Sequence, residues 1–375
     1  MVDRQEDQTR LSNNSINVDG TPTDSWRTHL LENDQLDEKS LHEWMAKHVP
    51  AYRGPLTIQR FTGGESNPTF RLTTPRHNYV LRRKPIGKIL SGAHAIDREA
   101  RIMEALGSEG FPVPHVLGLC DDPAVIGSAF FIMDLVEGRI FREAALPEVS
   151  RHDRPAYFET MNRTLARLHS IDYAAIGLQD YGRRGNYFER QISRWSRQYF
   201  EDTAAGRDRN MDKLIEWLQA NIPAGSGNTT IIHGDFRCEN LIFHATEPSV
   251  VAVLDWELST LGDPLADFAY NAMMYRIPSR IFTGLADVNL AVLNIPSERD
   301  YIELYCQRTG RSSITGYNFY VVFNLFRLAA ILHGIRGRII RGTAASKQAE
   351  KRVALLPELM AMAWAQAEAA GVERT

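Results

Sequence analysis

The stretch that decides the fold lies past the middle of the chain and reads His233-Gly234-Asp235-Phe236-Arg237-Cys238-Glu239-Asn240. A second acidic stretch, Leu254-Asp255-Trp256-Glu257, follows it closely. Short apolar runs typical of strands surround both stretches, at residues 230–232, 241–243 and 250–254. The pattern predicts two carboxylates and one carboxamide on the connections between short strands.

These three polar side chains match the needs of phosphoryl transfer. One carboxylate orients the acceptor hydroxyl, while an amide oxygen and a second carboxylate hold Mg²⁺ on the nucleotide phosphates. Asp235, Asn240 and Asp255 follow the order of the protein-kinase pattern, H-R-D-x-x-x-x-N and then D-F-G. The alternative is that Asp235 and Asn240 cap turns and Asp255 ends a strand. The surrounding strand signals favour the catalytic interpretation.

Composition and charge argue against several classes of protein. The chain has 375 residues, 43% of them apolar, and a net charge of −3, which gives no bulk basic signal for nucleic acid. Its three cysteines, Cys120, Cys238 and Cys306, are widely spaced and odd in number, which argues against a disulfide framework or a zinc-spaced pair. We expect no apolar run long enough to span a membrane. The expectation is a cytoplasmic protein with neither nucleic acid nor membrane as partner, and the oligomeric state stays open.

The chain divides by pattern into three parts. Residues 1–34 are polar and predict a mobile N-terminal segment. Residues 35–137 predict a small nucleotide-binding lobe with an antiparallel sheet and one helix, and residues 138–375 predict a large catalytic and substrate-binding lobe that is mainly helical. The expected fold class is α+β, in a bilobal, protein-kinase-like arrangement. Residues 84–88 and 277–296 are expected to form flexible loops. A helix is predicted at residues 95–106, with Ile96, Ala100, Met103 and Leu106 on its inner face, and a single helix is predicted at residues 344–368.

The chain resembles the aminoglycoside phosphotransferase and choline kinase branch of the kinase-like fold. Within that branch it is most similar to the kinase-like domains fused to acyl-CoA dehydrogenases. The resemblance covers about residues 36–370, and the motifs that carry it lie at residues 63–67, 79–82, 165–169, 233–240, 254–257 and 262–269. It implies ATP and Mg²⁺ as cofactors and a small hydroxylated molecule as phosphate acceptor.

The resemblance implies roles for the residues of the central motif. Asp235 matches the catalytic carboxylate, and Asn240 and Asp255 match the metal ligands. Arg237 stands where serine/threonine kinases carry a lysine that neutralises the γ-phosphate. The alternative for Arg237 is an ordinary ion pair with Glu239 or Glu257.

The third predicted strand carries the candidate cation for the nucleotide phosphates. Arg82 takes the place of the lysine in the V-A-I-K pattern and shares a strand face with Val80, which is expected under the adenine. The guanidinium keeps the charge but changes the geometry of phosphate binding. Glu99 is the candidate partner of Arg82, with a surface glutamate as the alternative.

Two further segments complete the predicted nucleotide site. A predicted turn would bring backbone N–H groups near the phosphates; it contains Gly63, Gly64, Ser66 and Asn67. The turn has fewer glycines than the G-x-G-x-x-G pattern, and a plain hairpin turn explains it equally well. The stretch 131–138 resembles the hinge of kinases. The backbone of Asp134 and Val136 would contact the adenine, and Met133 would lie at the back of the pocket. An ordinary core strand is compatible with the same sequence.

Several conspicuous residues are assigned to support rather than chemistry. Asp267 lies in an apolar setting, where a buried carboxylate needs donors, and the resemblance implies that it holds the backbone of the catalytic loop. His169 and His233 are expected to be satisfied, structural histidines. Two arginine sets, 190–197 and 336–341, are expected to be solvated faces, with an acidic group of the substrate as the alternative.

Two functions remain compatible with the sequence. The first is a Mg·ATP-dependent O-phosphotransferase for a small hydroxylated molecule, since no long activation loop or A-P-E signature follows Asp255. The resemblance implies a hydroxy acid or its CoA thioester as acceptor. An aminoglycoside or a sugar stays open as a less favoured acceptor, because few acidic clusters in the helical lobe could bind a polycationic drug. The alternative is a catalytically silent nucleotide-binding regulator or scaffold.

Overall fold

The computed structural model describes residues 36–61, 67–86, 95–183, 185–223, 228–343 and 347–372. These residues fall into two compact units, one drawn from Met1–His94 with Cys120–Ile132 and the other from Ala95–Leu119 with Met133–Thr375. The predicted N-terminal segment lies outside the described residues, and the domain boundaries drawn from the sequence stay a prediction.

The first unit combines one helix with an antiparallel sheet: α1 Glu38–His48, β1 Thr57–Arg60, β2 Thr69–Thr73 and β3 Asn78–Arg83. Asp37 caps α1, because its carboxylate accepts the Ser40 N–H at 3.0 Å. Strand β2 pairs antiparallel with both β1 and β3. Two later strands, β4 Val116–Cys120 and β5 Phe130–Asp134, extend the sheet in the order β1-β2-β3-β5-β4.

The second unit is mainly helical. Its larger helices are α2 Ile96–Ser108, α3 Arg154–Ser170, α4 Tyr187–Glu201, α5 Arg209–Ala220, α6 Pro264–Ala272, α9 Glu298–Thr309, α10 Tyr317–Ile340, α11 Lys347–Ala354 and α12 Leu356–Val372. The predicted inner face of α2 is confirmed, since Ile96, Ala100, Met103 and Leu106 are all buried. The α+β class expected from the sequence is confirmed.

Two small antiparallel ribbons interrupt the helices; three of their four strands lie where the sequence predicts strands, and the fourth, Thr260–Gly262, was not predicted. Strand β6, Thr230–Ile232, pairs with β9, Thr260–Gly262. Strand β7, Leu241–Phe243, pairs with β8, Val250–Val253. The first ribbon supports the beginning of the 233–240 loop, and the second supports its end and leads into Asp255.

Two details of the C-terminal half differ from the predictions. The segment 277–296 contains two short helices, α7 Ser279–Phe282 and α8 Leu290–Leu293. The Asn289 side chain accepts the Val292 N–H at 3.1 Å and so caps α8. Helices α11 and α12 replace the single helix predicted near the C-terminus.

The expectation that no apolar run reaches the length of a membrane span was wrong. Within the described residues, helix α10 is long and apolar enough to cross a membrane by length and composition alone. Of its apolar window, 78% is buried inside the protein, and the core helix of a globular domain meets the same two criteria.

Candidate active site

The second residue of the 233–240 loop is a glycine, which the local geometry requires. Gly234 has φ +85°, a conformation that residues with a Cβ rarely adopt. A Cβ added there would lie 2.9 Å from the Leu258 carbonyl oxygen. The segment after Asp255 therefore packs directly against the turn that presents Asp235.

Asp267, near the start of α6, holds the backbone of this loop. Its two carboxylate oxygens accept the His233 N–H at 2.7 Å and the Gly234 N–H at 2.8 Å. Complete burial works to raise the pKa of Asp267, but the hydrogen bond from His169, the nearby imidazoles and the backbone donors outweigh it and hold the pKa below its ordinary value. The predicted supporting role of Asp267 is confirmed.

The two histidines are structural, as predicted. His169 bridges the Asp267 carboxylate, at 3.2 Å, and the Tyr305 hydroxyl, at 2.7 Å. His233 accepts the Asp235 N–H on Nδ1 at 3.2 Å and lies with Nε2 2.8 Å from the Leu254 carbonyl oxygen. This network assigns the proton to Nε2 and connects the Asp235 backbone to the residue before Asp255.

The Asp235 carboxylate is held on both oxygens. The Asn240 side-chain amide donates to Asp235 Oδ2 at 2.9 Å and to its main-chain oxygen at 2.8 Å. The Tyr270 hydroxyl, from α6, donates to Asp235 Oδ1. The carboxylate therefore has a defined orientation, which is what positioning an acceptor hydroxyl requires.

The geometry around Asn240 and Asp255 suits a hard divalent cation. Because the Asn240 nitrogen faces Asp235, the side-chain atom left for a metal is the amide oxygen, which Mg²⁺ prefers. The Leu254 N–H donates to the Asn240 main-chain oxygen at 2.8 Å. Asp255 is the next residue after Leu254, so this hydrogen bond brings the backbone at Asp255 close to Asn240. Asp255 itself adopts a left-handed conformation with φ 65°, a strain found at functional turns. Their metal role stays a prediction.

Arg237 lies beside the Asp235 carboxylate, the candidate catalytic group. Its guanidinium pairs with Glu239, lies 3.5 Å from Asp235 Oδ1 and stacks on the Phe282 ring at 4.8 Å. Burial works to lower the Arg237 pKa, but the negative groups around it outweigh burial and raise the pKa. The ion pair with Glu239 that was the alternative interpretation is present, and it leaves the cation next to Asp235.

Sequence reasoning missed three residues that support the loop. Tyr270 and Asn271 lie three and four residues after Asp267, on the same face of α6, and Asn271 donates to the Phe236 oxygen at 3.2 Å. Arg327 of α10 donates to the Gly234 oxygen at 2.6 Å. Tyr270 and Asn271 could have been found from their spacing of three and four residues after Asp267, which places them on the same helix face. Nothing in the sequence connects Arg327 to the loop.

A cavity opens next to Arg237 and Tyr270. Its wall is mostly apolar, formed by Ala144, Met161, Met273, Met274 and Phe282. Arg237, Tyr270 and Asn271 are among the polar residues that line it. Asp235 contacts two of these polar residues, so the cavity adjoins the candidate catalytic group.

The predicted nucleotide-binding residues on the sheet are described only in part. Gly63, Gly64 and Ser66 lie outside the described residues. Asn67 is 1% exposed, and Val80 is also buried. Arg82 is half-buried and lies opposite Thr69 in the sheet.

Arg83, the next residue along β3, is more deeply buried than Arg82. Its guanidinium lies 5.5 Å from the Phe70 ring centre and 3.4 Å from the Ile126 oxygen. The two neighbouring arginines thus occupy opposite faces of the strand, as their alternation predicts.

The remaining candidates lie in the second unit. Glu99 is 3% exposed, so the interpretation of a surface glutamate was wrong. Met133 is buried, while Asp134 and Val136 are half-buried. The Asp134 N–H donates to the His115 oxygen at 3.0 Å, so an adenine contact at Asp134 would use its carbonyl.

Comparisons with known proteins show the family of the chain. The model of the phosphotransferase enzyme family called APH matches residues 57–297. Acyl-CoA dehydrogenase family member 10 of Mus musculus is 41% identical over 340 residues, which are 90% of this chain and 31% of that protein. Family member 11 of Gallus gallus is 42% identical over 326 residues, 84% of this chain and 42% of that protein. The chain therefore spans less than half the length of these relatives.

Solved structures give the same assignment. A crystal structure from Ralstonia eutropha JMP134, provisionally described as an aminoglycoside phosphotransferase, is 46% identical with a TM-score of 0.81 and covers 89% of this chain and 99% of its own. A ternary complex of aminoglycoside phosphotransferase APH(4)-Ia with AMP-PNP and hygromycin B is 14% identical with a TM-score of 0.56, covering 88% of this chain and 97% of its own. A microcompartment-associated aminopropanol kinase is 17% identical with a TM-score of 0.56, covering 88% and 96%. The last two show the fold alone. With a kinase-like fold and a family match across most of its length, the chain belongs to the APH phosphotransferase enzyme family.

Proposed function

We propose that the chain is a Mg·ATP-dependent O-phosphotransferase that acts on a small hydroxylated molecule. The observation that carries the proposal is the Asp235 carboxylate, which is held on both oxygens next to a mostly apolar cavity. Membership of the phosphotransferase family supports the reaction class. The acceptor and the cofactors go beyond what the family establishes.

In this mechanism Asp235 accepts a hydrogen bond from the acceptor hydroxyl and takes its proton as the oxygen attacks the γ-phosphorus. Asn240 and Asp255 would hold Mg²⁺, which when bound neutralises charge on the phosphates. Arg237, 3.5 Å from Asp235, supplies a further positive charge near the transferred group. Positioning and charge neutralisation do most of the work, since phosphoryl transfer needs little covalent help from the protein.

For the nucleotide we propose ATP. AMP-PNP bound to a structural neighbour supports this choice. Arg82 would contact the phosphates, with Glu99 as its partner. The backbone of the turn would also approach the phosphates, at Gly63, Gly64, Ser66 and Asn67. Four residues would surround the adenine: Val80, Met133, Asp134 and Val136.

For the acceptor we propose a hydroxy acid or its CoA thioester. The cavity beside Asp235 has a methionine-rich apolar wall, which suits an aliphatic chain, and Arg237 suits an acidic or carbonyl group. A polycationic drug would need acidic side chains, and the residues that line this cavity include none. Relatives named as acyl-CoA dehydrogenases support an acyl-type acceptor.

The test is ATP consumption by the purified chain with Mg²⁺ across a panel of hydroxy acids, their CoA thioesters, sugars and aminoglycosides. We expect acceptor-dependent ADP release for a hydroxyacyl compound, and a loss of about 10²–10⁴-fold or more in Asp235→Asn and Asp235→Ala. Turnover near that of the unmodified chain in either variant would refute the role of Asp235. Tight ATP binding with no acceptor-dependent ADP release across the panel would favour the silent nucleotide-binding protein.

A further inference from the structure

Tyr270 makes the only side-chain contact from helix α6 to the Asp235 carboxylate among the hydrogen bonds of the described residues. Its hydroxyl donates to Asp235 Oδ1, while Asn240 donates to Oδ2 from the opposite side. Tyr270 is 8% exposed, and its ring also forms part of the cavity wall next to Arg237. One residue therefore touches both the candidate base and the space proposed for the acceptor.

The phenol is suited to act as a permanent donor. Burial, and next the negative charge of Asp235, raise the pKa of Tyr270 well above its ordinary value, so the O–H keeps its proton throughout the neutral range. The Arg327 guanidinium lies 5.2 Å from the ring centre and also donates to the Gly234 oxygen, which helps hold the ring at the loop. The ring therefore has neighbours that limit its movement.

The hydrogen bonds to Asp235 limit the acceptor sites that its carboxylate can offer to an incoming hydroxyl. A carboxylate oxygen offers about two acceptor sites. One site on each Asp235 oxygen is taken, by Tyr270 and by Asn240, and Arg237 lies on the Oδ1 side. An acceptor hydroxyl must take one of the remaining sites, whose direction depends on how Tyr270 and Asn240 orient the carboxylate.

We infer that Tyr270 is a positioning residue for the phosphotransfer step: its O–H fixes the rotation of the Asp235 carboxylate, so that a free acceptor site on that carboxylate faces the incoming hydroxyl. The inference rests on the proposed function, since it assigns a role within the same site. It goes beyond a structural role, because a phenol that only filled space would be replaced by phenylalanine without effect on the chemistry.

The kinetic test compares Tyr270→Phe with a matched control, Tyr275→Phe. The Tyr275 hydroxyl is buried and has no hydrogen-bond partner in the described structure, so its loss removes the same atom without touching Asp235. We expect kcat to fall about tenfold or more in Tyr270→Phe, with KM for ATP nearly unchanged, because a hydrogen bond to an ionised group is lost from the reacting assembly. Tyr275→Phe should retain the kcat of the unmodified chain.

The split between kcat and KM separates positioning from simple support. A general loss of folding or binding would change KM or the amount of active protein, whereas a misaligned carboxylate lowers kcat. The other charged groups that face the pair, Arg237 and Glu239 from the loop and Arg327 from α10, are unchanged in this variant. A kcat of Tyr270→Phe equal to that of Tyr275→Phe would overturn the inference.

A second measurement needs no acceptor and so distinguishes this inference from the proposed function. In the full chain labelled with ¹³Cζ-tyrosine, the resonance that disappears in Tyr270→Phe identifies Tyr270. That resonance should shift in Asp235→Asn at constant pH, and the Tyr275 resonance should not. If the Tyr270 resonance is insensitive to Asp235→Asn, the contact is absent and the inference is wrong, whatever the enzyme phosphorylates. If it shifts while no compound is turned over, the contact is upheld and the proposed function fails.

Discussion

At the scale of single residues, the site is organised by carboxylates in two different environments. Asp235 is partly exposed and contacts groups that can face a substrate, whereas Asp267 is fully enclosed and bonds only to the protein. Burial decides the difference, because a carboxylate without water must find donors inside the fold. Asp267 is therefore placed to support the loop, and Asp235 is the residue that we propose for the chemistry.

Asp267→Asn should lower the free energy of unfolding by about 3 kcal/mol at neutral pH, since hydrogen bonds to a charged acceptor are lost and an amide faces backbone donors. The pKa of Asp267 is lowered in the folded state, so its contribution is present above the unfolded value, near about 4, and is lost as the pH falls toward the folded pKa. Urea unfolding between neutral pH and pH about 3 should show the difference between the two proteins shrinking with acid.

The control for this prediction is Asp180→Asn. Asp180 is an exposed partner of Arg101, and an exposed ion pair contributes little to stability. A loss in Asp267→Asn no larger than that in Asp180→Asn, or one independent of pH, would contradict the assignment of Asp267.

At the scale of elements, helix α2 is connected to the segment that follows Asp255. Arg98 donates to the Tyr181 oxygen at 2.7 Å and lies 4.3 Å from the Tyr181 ring centre. The Tyr181 hydroxyl lies 2.6 Å from Ser259 Oγ, and the Ser259 hydroxyl also donates to the Trp256 oxygen. A chain of contacts thus runs from the helix that carries Glu99 to the turn that begins at Asp255.

Tyr181→Phe should therefore weaken Mg²⁺ activation. The variant loses one buried hydrogen bond, which costs about 1 kcal/mol of unfolding free energy, and loosens the turn behind Asp255. We expect the Mg²⁺ concentration for half-maximal activity to rise by roughly threefold or more, because the looser turn should make the free energy of Mg²⁺ binding less favourable by a similar amount. The measurement is a Mg²⁺ titration of activity alongside urea unfolding.

Tyr199→Phe is the matched control for Tyr181→Phe. Its hydroxyl makes partly buried hydrogen bonds, accepting the Asp208 N–H at 2.7 Å, but within the described part of the chain it bonds to neither α2 nor the 255–259 segment. It should lower stability similarly and leave the Mg²⁺ requirement unchanged. Equal Mg²⁺ titrations for both variants would show that the Tyr181 contact has no effect on the proposed metal site.

At the scale of the whole molecule, binding of nucleotide and metal should stabilise the chain by mass action. With a non-hydrolysable ATP analogue and Mg²⁺ at about 100 times the dissociation constant, the gain is about 2.7 kcal/mol. We expect thermal unfolding to shift upward with both present, and EDTA to remove the part of the shift that depends on Mg²⁺.

Asn240→Ala and Asp255→Ala serve as comparison variants in the same measurement. Each should keep the metal-independent part of the shift and lose most of the Mg²⁺-dependent part, because each lacks one proposed ligand. A Mg²⁺-dependent shift that is undiminished in both variants would show that the cation is held elsewhere.

The local pattern of the chain determined much of this protein. Strand signals flanking His233–Asn240, the spacing of Asp235, Asn240 and Asp255, and the apolar setting of Asp267 follow from neighbours in sequence, because turns, short strands and burial of a helix face are local consequences of residue type. The kinase-like fold and the supporting roles of Asp267, His169 and His233 were accordingly predicted.

The tertiary structure alone decided which distant side chains reach the loop. Arg327, far along the chain on α10, meets the Gly234 carbonyl, and Tyr270 meets Asp235 only because Asp267 anchors α6 against the loop in one register. The buried state of Glu99 and the pairing of Arg237 with Glu239 also depend on packing. Contacts between elements depend on how helices pack against one another, and the sequence pattern of one element carries no information about the face that its neighbour presents.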